Sequence, residues 1–112
     1  MLAIINRTGS TNEMFSSMLT PQIQTPVRWG DYSSTSEYIS WGLGIGIQET
    51  EIGNAFWHWG DNNVFKCFMI AYPEENIGLV YFTNSYNGLL IADELIKTTI
   101  GGFNPAIEWL DY

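Results

Sequence analysis

The chain has 112 residues and a mass of 12.7 kDa, which is room for one domain and not for two. Its 46% apolar and 15% aromatic residues, with only 14% charged, suit a packed core and exclude a disordered chain. The formal net charge is −8, and Arg7, Arg28, Lys66 and Lys97 are the only cations, which excludes binding to a row of nucleic-acid phosphates or to an anionic membrane surface.

Leu2 to Arg7 reads as the last turns of an apolar-faced helix stopped by Gly9, with nothing before it to cap the first N–H groups. That opening leads to the expectation that the chain is a C-terminal piece of a larger protein. Ser10 or Thr11 is the N-cap of a second short helix, whose body runs from Glu13 or Met14 to Leu19 and ends at Thr20-Pro21. Residues 21–37 form a connector broken by Pro21, Pro26, Gly30 and the run Ser33 to Ser36, with Arg28 and Trp29 as its anchors. From Tyr38 the period becomes 2. Trp41, Leu43, Ile45 and Ile47 alternate with Gly42, Gly44 and Gly46, which predicts one strand whose bare face has another element close against it. No helix follows, so the glycines are not a dinucleotide fingerprint.

Glu49 to Asn54 reads as a turn, Ala55 to Gly60 as a second strand, and Asp61-Asn62-Asn63 as a polar turn. Val64–Tyr72 and Ile77–Thr83 are strands joined in a hairpin by Pro73-Glu74-Glu75-Asn76. Asn84 to Gly88 then caps a helix from about Leu89 to Ile100. Leu89, Ala92, Leu95, Ile96, Thr99 and Ile100 lie on its inner side, and Asp93, Glu94 and Lys97 on its outer side. Gly101-Gly102 ends it, and the apolar tail Phe103 to Tyr112 packs back. The fold class is α+β in a single domain, 1–112: an antiparallel meander packed against an amphipathic C-terminal helix, with short N-terminal helices.

The chemistry available to these residues is sparse. A single cysteine, Cys67, excludes a disulfide framework and reads as a core thiol. A single histidine excludes a multi-histidine metal site, and no cofactor is expected. His58 stands among Phe56, Trp57 and Trp59, where a lone histidine is usually structural. Glu49 with Glu51, and Glu74 with Glu75, read as solvated loop carboxylates, and Asp93 and Glu94 can pair with Lys97 on a helix surface. No Gly-x-Ser-x-Gly occurs, and no serine has a lysine three positions on. Ser10-Thr11-Asn12 fits Ser-x-Asn only formally, since it falls at a helix cap. No apolar run reaches the ~20 residues of a bilayer span. Met1 to Ile5 is too short for a signal peptide.

The order of motifs in the second half adds more. Tyr38-Ile39-Ser40-Trp41-Gly42-Leu43-Gly44 is followed by Phe56-Trp57-His58-Trp59-Gly60. Next come Phe68-Met69-Ile70-Ala71-Tyr72-Pro73, then Ile77-Gly78-Leu79-Val80-Tyr81-Phe82-Thr83-Asn84, then a last helix. This set resembles the C-terminal portion of serine β-lactamase-like proteins, the group of class C β-lactamases, DD-peptidases and related esterases. Leu2 to Pro21 is similar to the helical stretch before that portion. The resemblance implies acyl transfer through a serine ester, with ester, amide or peptide substrates. In that family a Ser-x-x-Lys and a Tyr-x-Asn or Ser-x-Asn lie upstream, and this sequence has neither. Only the third motif, Lys/His-x-Gly, is matched, by His58-Trp59-Gly60.

By that match His58 is a polar group of the cleft wall, facing the proton relay or a substrate carboxylate. Asp61 offers its backbone N–H as an oxyanion donor, and Trp59, Gly60 and Asn62 border the substrate. The sequence departs from the pattern in two places. Asp61 brings a carboxylate to a spot where negative charge develops, unless it points away, and Asn62-Asn63-Val64 stands where a second small residue is common. With bulky Trp59 narrowing the cleft, an esterase or peptidase-like parent fits better than β-lactam turnover, and the chain alone should be inactive. The competing reading is a non-catalytic interaction or ligand-binding module built on the aromatic patch of Trp41, Trp57 and Trp59. A sheet edge left unpaired and an uncovered apolar face further imply a homo-oligomer. A periplasmic, cell-envelope or secreted parent is implied by the resemblance alone.

Overall fold

The computed structural model describes residues 1–25 and 35–112, so the expected anchors Arg28 and Trp29 lie outside the described residues. Its elements are α1 (Leu2–Ile5), α2 (Asn12–Leu19), β1 (Ile23–Gln24), a 3₁₀ turn (Ser36–Tyr38), β2 (Ile39–Trp41), β3 (Gly46–Thr50), β4 (Gly53–Asn62), β5 (Phe65–Tyr72), β6 (Ile77–Thr83), α3 (Ala92–Thr99) and α4 (Pro105–Leu110). The six strands form one antiparallel sheet in the order β1-β2-β3-β4-β5-β6. This is the α+β meander expected from the sequence.

Among the described helices, α2 alone starts on a side-chain cap. Thr11 caps α2 by accepting a hydrogen bond from the Met14 N–H at 3.2 Å, and Gly9 before it takes φ +88°. The single strand expected from Tyr38 is instead two. Between β2 and β3 the chain turns through Gly42 to Ile45, closed by Gly42 N–H to the Ile45 carbonyl at 2.9 Å, with Gly44 at φ +73°. Alternating glycine and apolar residues read identically in a strand and in a tight hairpin, because only glycine takes that φ freely. The inference of a close neighbour holds: a Cβ on Gly42 would collide with the Met18 carbonyl at the end of α2, and one on Gly46 with the Trp57 indole.

Strand β4 is longer than expected. It absorbs Gly53 and Asn54 at its start and Asp61 and Asn62 at its end, so the two predicted turns shrink to Glu51-Ile52 and Asn63-Val64. Polar residues at a strand's free end tolerate extension, and Asn63, at φ +56°, supplies the left-handed residue of the turn. The hairpin at Pro73 to Asn76 is as expected, with Asn76 at φ +53° and its N–H bonded to the Pro73 carbonyl at 3.2 Å. Helix α3 starts at Ala92, since residues 85–91 form successive turns instead, and Thr99 is exposed and not on the inner side. The tail does pack back, as α4.

Helices cover the two faces of the sheet unequally. On one face Ile39, Ala55, Trp57, Phe68, Ile70 and Tyr72 pack against Leu89, Ala92 and Ile96 and against Ala106, Ile107 and Leu110 of α4. On the other, Ile45, Phe56 and Ala71 pack under Ile4 and Ile5 of α1 and Leu19 of α2. Consecutive Ala55, Phe56 and Trp57 are therefore all buried. Among the described residues nothing beyond α1 and α2 covers that second face, and Phe65, Val80 and Phe82 stand exposed there, Phe82 at 80%. Cys67 is half-buried beside them and not a core thiol, because its strand position places it on the uncovered part of the sheet.

One polar network crosses the main core. Gln48, fully buried on β3, donates from Nε2 to the Tyr72 hydroxyl at 2.8 Å and accepts at Oε1 from the Ala106 N–H at 3.2 Å. Tyr72 in turn donates to Asn104 Oδ1 at 3.4 Å. The network satisfies a first-turn N–H of α4 and pins that helix to the sheet.

Candidate functional site

Strand β4 runs past the end of β3, and hydrogen-bond parity shows what that exposes. Gln22 N–H donates to the Trp41 carbonyl (2.8 Å) and Thr25 N–H to that of Ile39 (3.3 Å), so both residues direct their main-chain groups to β1. Ser40 and Gly42 therefore face Ile47 and Ile45, and Gly46 and Gln48 face β4. Through the register Gly46↔Trp57 and Gln48↔Ala55, Trp57 faces β3, while His58, Gly60 and Asn62 bond to β5. Trp59 and Asp61 thus turn their N–H and C=O groups to the β3 side, where pairing has already stopped at Trp57. Among the described residues no strand pairs with that edge.

The five residues singled out from the sequence all lie on this strand end, but they divide between its faces. The side chains of His58 and Asn62 point to the open face, on which Gly60 leaves a bare position, and those of Trp59 and Asp61 share the face of Trp57. His58 is exposed, and its ring curls over the edge so that Nδ1 lies 2.7 Å from the Trp59 carbonyl. A carbonyl only accepts, so the proton of that bond sits on Nδ1, and in the neutral ring Nε2 carries the lone pair. The ring is also held by Trp59, at 5.5 Å between centroids, and by the edge of Trp41 at 5.9 Å. Gly60 is crowded: a Cβ there would sit 2.6 Å from Cys67 Sγ.

Trp59 belongs to an indole cluster with Trp41, Trp57 and Trp109, at centroid distances of 5.5 to 6.4 Å. Trp57 is fully buried, and Trp41 and Trp59 are half-buried against it. The indoles spend most of their area on one another and on the core, which weakens the reading of them as a binding patch.

Asp61 does point away from the His58 face. Its carboxylate is bound by the Lys66 ammonium, accepts from Asn63 N–H at 3.2 Å, and meets the Tyr112 hydroxyl at 3.3 Å. Lys66 holds the Asp61 carboxyl below its ordinary value of 3.8 against the opposing push of partial desolvation, with Tyr112 and Asn63 adding smaller lowering effects. Sequence reasoning passed over Lys66 and Tyr112. The signal was one of only four cations set in the apolar run Phe65-Lys66-Cys67-Phe68, where an unpaired lysine would not be buried.

Two hollows border the strand end on its open side. One of about 200 Å³ is lined mostly by apolar groups, among them Met69, Val80 and Phe82 beside His58. The other, about 400 Å³, lies along Gly60, Asn62 and Phe65. A larger hollow, about 640 Å³, is at the opposite end of β4, where Glu49 and Glu51 meet Tyr38 and Phe103. Those two glutamates line it without a third acidic or imidazole group among the described residues. No described helix is long and apolar enough to cross a membrane.

No family model matches the sequence, and no curated protein does. Among solved structures the chain is similar to the octameric penicillin-binding protein homologue from Pyrococcus abyssi, with a TM-score of 0.64 and 22% identity over 92% of this chain. The chain spans 23% of the length of that protein. At this identity the likeness concerns the fold: the meander with its short helices is a partial penicillin-binding-protein or β-lactamase-like fold.

Proposed function

We propose that this chain is the C-terminal part of a serine hydrolase of the β-lactamase, penicillin-binding-protein and esterase group, supplying one wall of the acyl-transfer site and not its nucleophile. The observation that carries this reading is the free edge of β4 beyond Trp57. There His58 presents Nε2 and Asp61 presents its N–H on a fold shared with a penicillin-binding protein homologue. In such a site His58 Nε2 accepts a hydrogen bond from the proton relay or the leaving group. The Asp61 N–H meets the carbonyl oxygen as it becomes an oxyanion, a contact worth about 2.7–4 kcal/mol of barrier in acyl transfer. The neutralised, averted Asp61 carboxylate supports that assignment, since a free charge there would oppose the oxyanion. The half-buried indole of Trp59 walls the edge on the core side and favours an ester or peptide substrate over a β-lactam.

The test is to express the whole reading frame that contains this chain beside the 112 residues alone. The long product should hydrolyse p-nitrophenyl esters and be labelled by a fluorophosphonate, and His58→Ala should lower its kcat/KM about a hundredfold. The 112 residues alone should do neither. Hydrolysis by the short chain, or a long product without any serine labelled, defeats the reading.

A further inference from the structure

Asp61 carries two groups of opposite use at one position: an N–H directed to the free edge, and a carboxylate one rotation away from it. Aspartate side chains readily accept hydrogen bonds from their own or neighbouring main-chain N–H groups, so an unrestrained Asp61 would occupy the edge itself. The structure shows what prevents this. The Lys66 ammonium, on the neighbouring strand in register with Asp61, binds the carboxylate on the tryptophan-bearing face. Lys66 is only 6% exposed, its Nζ lies 5.1 Å from the centre of the Tyr86 ring, and its carbonyl is tied down by the Thr83 hydroxyl at 3.1 Å. Such a lysine has little freedom to leave, and the Tyr112 hydroxyl holds the second carboxylate oxygen.

We propose that Lys66 is a positioning residue of the β4 edge, whose bond to Asp61 keeps that carboxylate off the Asp61 N–H and leaves the N–H available to an anionic oxygen. This rests on the hydrolase reading above and adds to it a residue that touches no substrate. Lys66 acts through Asp61, so its role depends on the carboxylate being charged. Removing the ammonium should therefore harm the site only while the carboxylate remains.

The experiment uses the product of the whole reading frame, with p-nitrophenyl butyrate as the probe. Lys66→Met should lower kcat at least about tenfold with KM nearly unchanged, because a donor self-occupied in the transition state is lost in part or whole. Lys66→Arg should retain most of the rate. The deciding readout is the double variant Lys66→Met/Asp61→Asn, which should regain most of what Lys66→Met lost, since the competing charge is gone. Lys66→Gln serves in the same comparison, so the outcome does not hang on one variant folding. A rate that stays low in the double variants shows a merely structural lysine and overturns the proposal while the hydrolase reading stands. An inactive parent, with no labelled serine, overturns both.

Discussion

Replacing Gln48 by leucine tests how the C-terminal helix is held. The side chain is fully buried, and its amide joins three elements: β3, Tyr72 at the end of β5, and the first turn of α4. Leucine has nearly the same size, so the substitution removes hydrogen bonds with little change in volume. The Ala106 N–H then has no acceptor in a dry core, which costs about 1–3 kcal/mol. Tyr72 keeps only its long 3.4 Å bond to Asn104, a further loss of about 1 kcal/mol. The gain from burying a more apolar group offsets part of this. A net destabilisation of roughly 2–3 kcal/mol is expected, which for a domain of this length lowers Tm by about 8–15 °C. Urea unfolding followed by tryptophan fluorescence measures it, with Trp109 on α4 reporting on the helix itself. A change below about 0.5 kcal/mol would falsify the view that this network anchors α4.

Four further outcomes follow from particular contacts. The Asp61 carboxyl is held below its ordinary 3.8, so its stabilising contribution is present above that value and fades as pH falls through the lower folded one. Urea midpoints of the wild type and Asp61→Asn should accordingly differ at pH 6 and converge below pH 4, and a gap that persists at pH 2 contradicts the ion pair. Burial raises the Tyr81 phenol to about 12, with repulsion from the ionised form of nearby Cys67 adding to the effect. Its stabilising share is complete below the free phenol's value of 10 and is lost as pH climbs to about 12, so a 295 nm titration should show one tyrosine ionising late, and Tyr81→Phe should abolish that step. Gly46→Ala pushes a methyl into the Trp57 indole and should cost roughly 1–3 kcal/mol and flatten the near-ultraviolet dichroism of the indole cluster; an unchanged spectrum refutes the close stacking. Strand β6 ends the sheet without a charge or proline, beside exposed Val80 and Phe82, so light scattering on the isolated chain should show self-association, and Val80→Lys should reduce it; a wild-type monomer at micromolar concentration removes that inference.

The sequence by itself determined the class of the fold and most of its elements. Thr11, Pro73 to Asn76 and Gly101-Gly102 act through their own backbone preferences, so local chemistry sets the cap, the hairpin and the helix end wherever they are placed. The run His58-Trp59-Gly60 stood out only through its resemblance to the family's third motif, since its composition alone reads as a structural histidine among aromatics. Tertiary structure decided what adjacent residues cannot encode. The hairpin at Gly42 to Ile45 forms because α2 and the Trp57 ring press on Gly42 and Gly46 from both sides, and periodicity alone cannot distinguish that from one strand. The free edge at Trp59 and Asp61 exists only because β3 stops opposite Trp57, which is a matter of the relative lengths of two strands. Likewise Asp61 is turned from the edge by Lys66, a cross-strand partner whose relevance appears once register is set. Periodicity reports which residues share a face, whereas the proposed site depends on where a neighbouring strand ends.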